Sequence, residues 1–259
     1  MPRSNMDSDE NLEAVLKRRT RFQSLRHVAA CESTQDIANE GSGSTAPLPD
    51  AVFWADHQTS GRGRQQRVWH DETGLDVAVT FRITEEFPRP MALPAALPVA
   101  VLEACEPLAE TRLRIKWPND IYVGSDKLSG VLIDRDSRRP HTYRIGVGIN
   151  VNGTHFPAGL RNPATSLRAL TGKLHDRHQL LADLAESVDS MLHAAAAEEL
   201  TGHETIFRER LGLLGHPVEV TAGSTTTGTL TDINFERLVL DGRAELPLAI
   251  VTSLRRASL

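Results

Sequence analysis

The sequence predicts an α+β chain, a larger region of mixed strands and helices followed by a small module of strands alone. Three observations carry this expectation. Apolar runs of strand length, among them Ala51–Ala55 and Leu75–Ile83, recur between turn residues. Leu93–Leu108 and Asp176–Leu200 carry apolar residues at helical spacing. From His216 onward the composition changes to short Thr-, Val- and Leu-rich runs punctuated at Ala222-Gly223, Asn234 and Asp241-Gly242. The chain of 259 residues is long enough for a 1–25 tail, a 26–212 mixed domain and a 213–259 β module, joined near Gly212–Gly215.

Composition narrows the class. With 40% hydrophobic residues and a net charge of −5, the chain buries a core and lacks the basic excess of a dedicated nucleic-acid binder. Cys31 and Cys105 form neither a metal spacing nor a disulfide framework, which points to an intracellular, cytoplasmic setting. The first ten residues are polar and acidic, and the most apolar run, Met91–Leu102, is short and interrupted by Pro94 and Pro98. Neither secretion nor membrane insertion is expected.

Taken in order, residues 1–24 are charged, with at most a short helix around Leu12–Lys17, too little for a winged-helix DNA-binding domain. His27–Ala30 reads as a strand. Ser33 with Asp36 three residues on resembles a capping box that opens a helix. Gly41–Pro49 is a loop without the Lys-Ser/Thr ending of a phosphate-binding P-loop. After the Leu93–Leu108 helix, Arg112–Trp117, Ile121–Val123 and Lys127–Asp134 read as strands around the turn Lys116-Trp117-Pro118-Asn119-Asp120. Tyr143–Val151 is a strand containing Gly146-Val147-Gly148-Ile149-Asn150. It is no dinucleotide fingerprint, since Val151 holds the third glycine position; its glycines suit either a ligand lying against the strand or a β-bulge. A shorter helix is expected at Glu204–Leu211, and His175 with His178 lacks the further ligands of a zinc site.

The stretch Gln58–Trp69 is a long loop held between two strands. Its glycines allow close backbone approach, its three arginines offer forked donors, and its tryptophan offers a flat face. These parts suit a nucleotide phosphoanhydride or a mixed anhydride; a solvated basic loop touching nucleic acid is the alternative, which the global charge disfavours. Lysine is scarce beside arginine, with only Lys17, Lys116, Lys127 and Lys173, so those remaining mark places that need a compact ammonium.

The order GRGRQQRVW, KWPND, KLSGVLID and GVGIN, preceded by the Ser33-Thr34 helix start, resembles bacterial biotin–protein ligases over about residues 26–258. The resemblance implies a mixed β-sheet backed by helices and followed by a small SH3-like barrel. It also implies a reaction: biotin and ATP form biotinyl-5'-AMP with loss of pyrophosphate, and biotin then passes to a lysine of a biotin carboxyl carrier domain. By matching positions it places biotin against Ser33, Thr34, Gln35, Gln58, Arg62, Gly63, Arg64, Lys127 and Gly130. The nucleotide falls to Arg64, Arg67, Trp69, Lys116, Asn119, Asp120 and Asn150. Lys127, Arg62 and Arg64 are implied to carry the chemistry, with Mg2+ as cofactor and no assigned metal ligands. A ureido group is neutral, with one acceptor and two donors, so hydroxyls and an amide complement it. A lipoate or octanoyl ligase or transferase is the related alternative, but a fatty chain would want an apolar slot there. A DNA-binding repressor is disfavoured by the short segment before residue 26, and no membrane partner is expected. The family usually has glycine where this chain has Gln66, so an altered loop is expected at that point.

Overall fold

The computed structural model describes residues 9–40 and 48–257. Its larger sheet has seven strands: β1 (Ser24–Val28), β2 (Ala51–Ala55), β3 (Val77–Thr84), β4 (Arg114–Lys116), β5 (Asp120–Val123), β6 (Asp126–Asp136) and β7 (Arg139–Ile149). They lie in the order β1-β2-β3-β7-β6-β5-β4, with β1 and β2 parallel and every other neighbouring pair antiparallel. Short turns explain the second half of this order: Gly124, at φ 57°, closes β5 onto β6, and β6 folds directly back as β7.

Helix α3 (Leu93–Ala109) packs against β6 and against α5 (Arg177–Ala196), and both helices are heavily buried. By length and composition the segment Pro90–Ala109, which contains α3, is apolar enough to cross a membrane, but most of it is buried in the body of the protein. The short helix α2 (Thr34–Asn39) packs on β2, β3 and β7, and α6 (Thr201–Leu211) packs against α3 and β4.

A second sheet follows: β8 (Pro217–Ala222), β9 (Ser224–Ile233), β10 (Arg237–Leu240), β11 (Ala244–Pro247) and β12 (Ser253–Arg256), antiparallel in the order β11-β10-β9-β8-β12. The expected turns at Gly223 and Asp241-Gly242 have positive φ. The apolar side of this module is continuous with that of the large sheet: Val218, Leu230, Phe235 and Leu254 belong to the same apolar cluster. Phe207 of α6 meets Phe235 with ring centroids 5.3 Å apart, and the Trp117 indole N–H donates to the Val251 carbonyl at 3.1 Å.

Three features differ from the sequence reading. Residues 9–22, placed in the tail, form helix α1 (Asp9–Arg19) and a turn, with Leu12, Leu16 and Phe22 buried against the body. β1 begins at Ser24 and ends at Val28, because this edge strand is only half buried and Arg26 interrupts its apolar pattern. A short helix α4 (Leu167–Thr171), capped by the Ser166 hydroxyl, was not anticipated. Residues 41–47 of the expected Gly41–Pro49 loop lie outside the described residues.

Candidate active site

The α2 N-terminus, the Gln58–Trp69 loop and the β5–β7 face close around one cavity. At one end, Ser33 is the N-cap of α2, its hydroxyl accepting from the Gln35 N–H at 3.4 Å. The capping box is incomplete, since the Asp36 carboxylate turns outward to Arg62. Gln58 Oε1 accepts from the Thr34 N–H at 2.9 Å, from the Thr34 hydroxyl at 3.2 Å and from the Ser33 hydroxyl at 3.4 Å. The Thr80 hydroxyl donates to Thr34 Oγ1 at 2.9 Å. Gln35 donates through Nε2 to the Leu132 and Arg144 carbonyls, while its buried Oε1 has no protein partner. The result is a buried, uncharged pocket with polar capacity to spare.

The loop is folded back on itself. Trp69 N–H donates to the Gly61 carbonyl at 2.8 Å, and Gly63 N–H to the Arg67 carbonyl at 2.7 Å. Gly61 is required by this approach, because a Cβ there would sit 2.5 Å from the Trp69 carbonyl oxygen. At its tip Gln65 takes φ 56°. The left-handed residue is Gln65, one position before the glutamine that stands where the family usually has glycine.

At the other end stands Lys127, whose Nζ lies 2.7 Å from Asp120 Oδ1 and 5.4 Å from the centre of the Trp69 ring. Gly130 makes room for that ion pair: an added Cβ would be 3.0 Å from Nζ and 3.1 Å from Asp120 Oδ1. Arg64 is half-buried, and burial lowers its affinity for the proton while nearby Asp120 opposes the shift. Its guanidinium remains charged, as arginine does in proteins, so the cavity holds a partly desolvated cation beside the Lys127–Asp120 pair.

Most residues named from sequence line this cavity: Ser33, Thr34, Gln35, Gln58, Arg62, Gly63, Arg64, Arg67, Trp69, Asn119, Asp120, Lys127, Gly130 and Asn150. Lys116 is not among them. Its ammonium lies 3.3 Å from the Tyr122 hydroxyl and from Asn162 Oδ1 and 4.4 Å from the Tyr122 ring centre, and burial depresses its pKa. Arg62, at the rim, pairs with Asp36. Arg67 is exposed and donates to Gln65 Oε1 at 2.7 Å. Asn119 donates to the Val131 carbonyl, and Asn150 donates to the Thr165 and Lys127 carbonyls, so both amides brace the backbone around the site.

The glycines of β7 also behave differently from a bare ligand platform. Gly148 is covered by the Trp69 indole and Gly146 by the Gln35 amide; a Cβ at either would come closer than 3.0 Å to those side chains. Sequence reading missed Thr80, Asp71 and the segment that brings Phe156, Leu160 and Arg161 to the cavity. Thr80 stands between Val79 and Phe81 in a buried strand, and a hydroxyl at such a position was the available signal. Residues 153–164 have neither helix nor strand, so no periodicity marked them.

Against this geometry, a Biotin–[acetyl-CoA-carboxylase] ligase from Mycobacterium tuberculosis is 30% identical over 233 residues, covering 85% of this chain and 84% of that protein. The chain belongs to the biotin–protein ligase family. Residues 28–152 also match the model of the Biotin/lipoate A/B protein ligase family. The biotin protein ligase of Aquifex aeolicus, solved in complex with biotin and ATP, superposes with a TM-score of 0.78 at 27% identity, covering 91% of this chain and all of that one. The Bifunctional ligase/repressor BirA of Bacillus subtilis is 35% identical over 176 residues, 66% of this chain and 54% of that protein. The chain thus matches about half the length of the bifunctional members of the ligase family.

Proposed function

We propose that this protein is a biotin–protein ligase that activates biotin with ATP to biotinyl-5'-AMP, releases pyrophosphate, and transfers biotin to a lysine of a biotin carboxyl carrier domain. The observation that carries this reading is the polarity gradient of one cavity. It runs from the uncharged Ser33–Thr34–Gln58 pocket to the cationic end at Lys127 and Arg64. Biotin has the same two ends, a neutral ureido ring and a carboxylate.

Gln58 Oε1 is already engaged, leaving Nε2 to donate to the ureido oxygen, and the Gln35 Oε1 without a partner suits a ureido N–H. Attack of the carboxylate on the α-phosphate brings two anions together. Lys127, moving from Asp120 to the incoming oxygens, screens that repulsion and fixes the line of attack. Arg64 lies half-buried beside it, where an anionic intermediate repays the cost of its desolvation. Trp69, held against Gly148, supplies the apolar face for adenine, and Arg62 can join the site only by leaving Asp36. In the second step the carrier lysine attacks the acyl carbon and AMP departs; no covalent enzyme intermediate is required.

Asp120 is the one carboxylate lining the cavity among the described residues. A single carboxylate fits Mg2+, which takes most of its ligands from nucleotide phosphates and water. Asp120 would hold such an ion, whose contribution is neutralisation of phosphate charge. The requirement for ATP and two unpaired cysteines support a cytoplasmic setting.

The test is mass spectrometry of a carrier domain incubated with the protein, ATP and either biotin or lipoate, with pyrophosphate measured in parallel. Biotin-dependent pyrophosphate release and a biotinylated carrier lysine are expected. Modification by lipoate alone would overturn the reading.

A further inference from the structure

The Gln58–Trp69 loop leaves and returns to the body at almost the same place, and one buried carboxylate joins its two ends. Asp71, two residues past Trp69, has a side chain only 2% exposed. Its carboxylate accepts the backbone N–H of Gln58 through both oxygens, at 3.2 and 3.3 Å, and contacts His57 Nδ1 at 3.1 Å. We propose that Asp71 is a positioning residue for biotin recognition, a clasp that sets the direction of the Gln58 amide. The proposal rests on the reading of Ser33, Thr34 and Gln58 as the ureido pocket.

Gln58 is held from two sides. On one side its chain bridges to Cys31: Cys31 N–H donates to the His57 carbonyl at 3.1 Å, and Thr59 N–H to the Cys31 carbonyl at 2.9 Å. On the other side stands Asp71. With Oε1 committed to Ser33 and Thr34, the direction of Nε2 follows from the placement of the backbone, and Nε2 lies only 3.1 Å from where a Cβ on Gly61 would be. Little slack remains in that amide. A shift of the Gln58 backbone would turn its free donor away from a ureido oxygen or break its bonds to the α2 N-terminus.

A buried carboxylate is a costly way merely to close a loop, since desolvating the charge opposes folding. It does, however, give a stronger and more directional anchor for a backbone N–H than a neutral acceptor. His57 Nδ1 faces the carboxylate and further fixes its orientation.

The experiment compares wild type with Asp71→Leu, which keeps bulk but removes the acceptor, and Asp71→Asn, which keeps one oxygen for the Gln58 N–H. Loss of a charge-assisted hydrogen bond should raise the KM for biotin about 10- to 100-fold in Asp71→Leu. The KM for ATP should stay within about twofold, because the bonds of Asp71 go to Gln58 and His57 at the ureido end; a mere loss of folded protein would lower apparent kcat and leave both KM values alone. Asp71→Asn should recover most of the biotin affinity. If circular dichroism shows that Asp71→Leu does not fold, Asp71→Ser, which withdraws the acceptor by a bond length, replaces it. An unchanged biotin KM in the folded variant, or biotin and ATP KM values that rise together, overturns the clasp. Absence of biotin-dependent pyrophosphate release from wild type would instead overturn the functional reading on which it rests.

Discussion

Lys127 is confined more tightly than a solvent-facing lysine, with Asp120 at 2.7 Å and Gly130 beneath it leaving no room for a side chain. Lys127→Ala is expected to slow adenylate formation by about 10²–10³, the usual cost of losing a donor aimed at developing charge. Lys127→Arg should fail as well, because a planar fork does not fit a slot shaped for a compact ammonium. Pyrophosphate release measures both, and a near-normal rate in either variant removes Lys127 from the first step. Arg64 leads to a different outcome. If it tethers the phosphate while Lys127 carries the bond-forming step, Arg64→Gly should still produce pyrophosphate but let biotinyl-5'-AMP escape to water and bystander lysines. Albumin added to the assay should become biotinylated, less so with a free amine as scavenger; loss of pyrophosphate together with carrier labelling would place Arg64 in the chemistry instead. At this scale the sequence was most legible in placement, since Ser33, Gln58 and Lys127, far apart in the chain, line one cavity. It was least legible for Arg62, Asn119 and Asn150, whose partners are set by tertiary placement: an exposed carboxylate for the first and backbone carbonyls for the other two.

Among the elements, the arginine-bearing loop is the one poised to change. Its internal hydrogen bonds close the base, but Arg62 and Arg67 are spent on Asp36 and Gln65, both contacts that an anion can replace. Three cations held close together repel until an anion arrives, so biotin with ATP should order the segment Thr59–Val68. Trypsin should cut after Arg62, Arg64 and Arg67 more slowly in the presence of both ligands, and equal cleavage rates would refute the ordering. The strands and helices themselves were readable wherever burial imposed a period. β2 and the start of α3 fall where the sequence placed them, because β2 is wholly buried and α3 nearly so. α1 and α4 were understated for a physical reason: α1 presents only Leu12, Val15 and Leu16 inward from a charged sequence, and α4 is five residues long.

For the molecule as a whole, the composition change at His216 was a true signal of a second sheet, yet it concealed how that sheet is attached. The apolar cluster runs without interruption from α3 and the large sheet into Val218, Phe235 and Leu254, and Trp117 of the KWPND turn bonds directly to Val251. No sequence pattern announces a core shared across a composition boundary, because each side supplies apolar residues in its own period. Shared packing predicts one cooperative thermal transition for the full chain, with calorimetric and van't Hoff enthalpies in agreement; two resolved transitions would mean that the sheets fold separately. The same continuity bears on how the chain can be cut. Gly212 and Gly215 form a tight connection with positive φ at both positions, while the contacts that matter lie in the packed layer on either side. Fragments divided at this connection would each carry an uncovered apolar face shaped for the other. Coexpressed, they should find one another and restore carrier labelling that neither gives alone, so the covalent joint is dispensable where the interface is not.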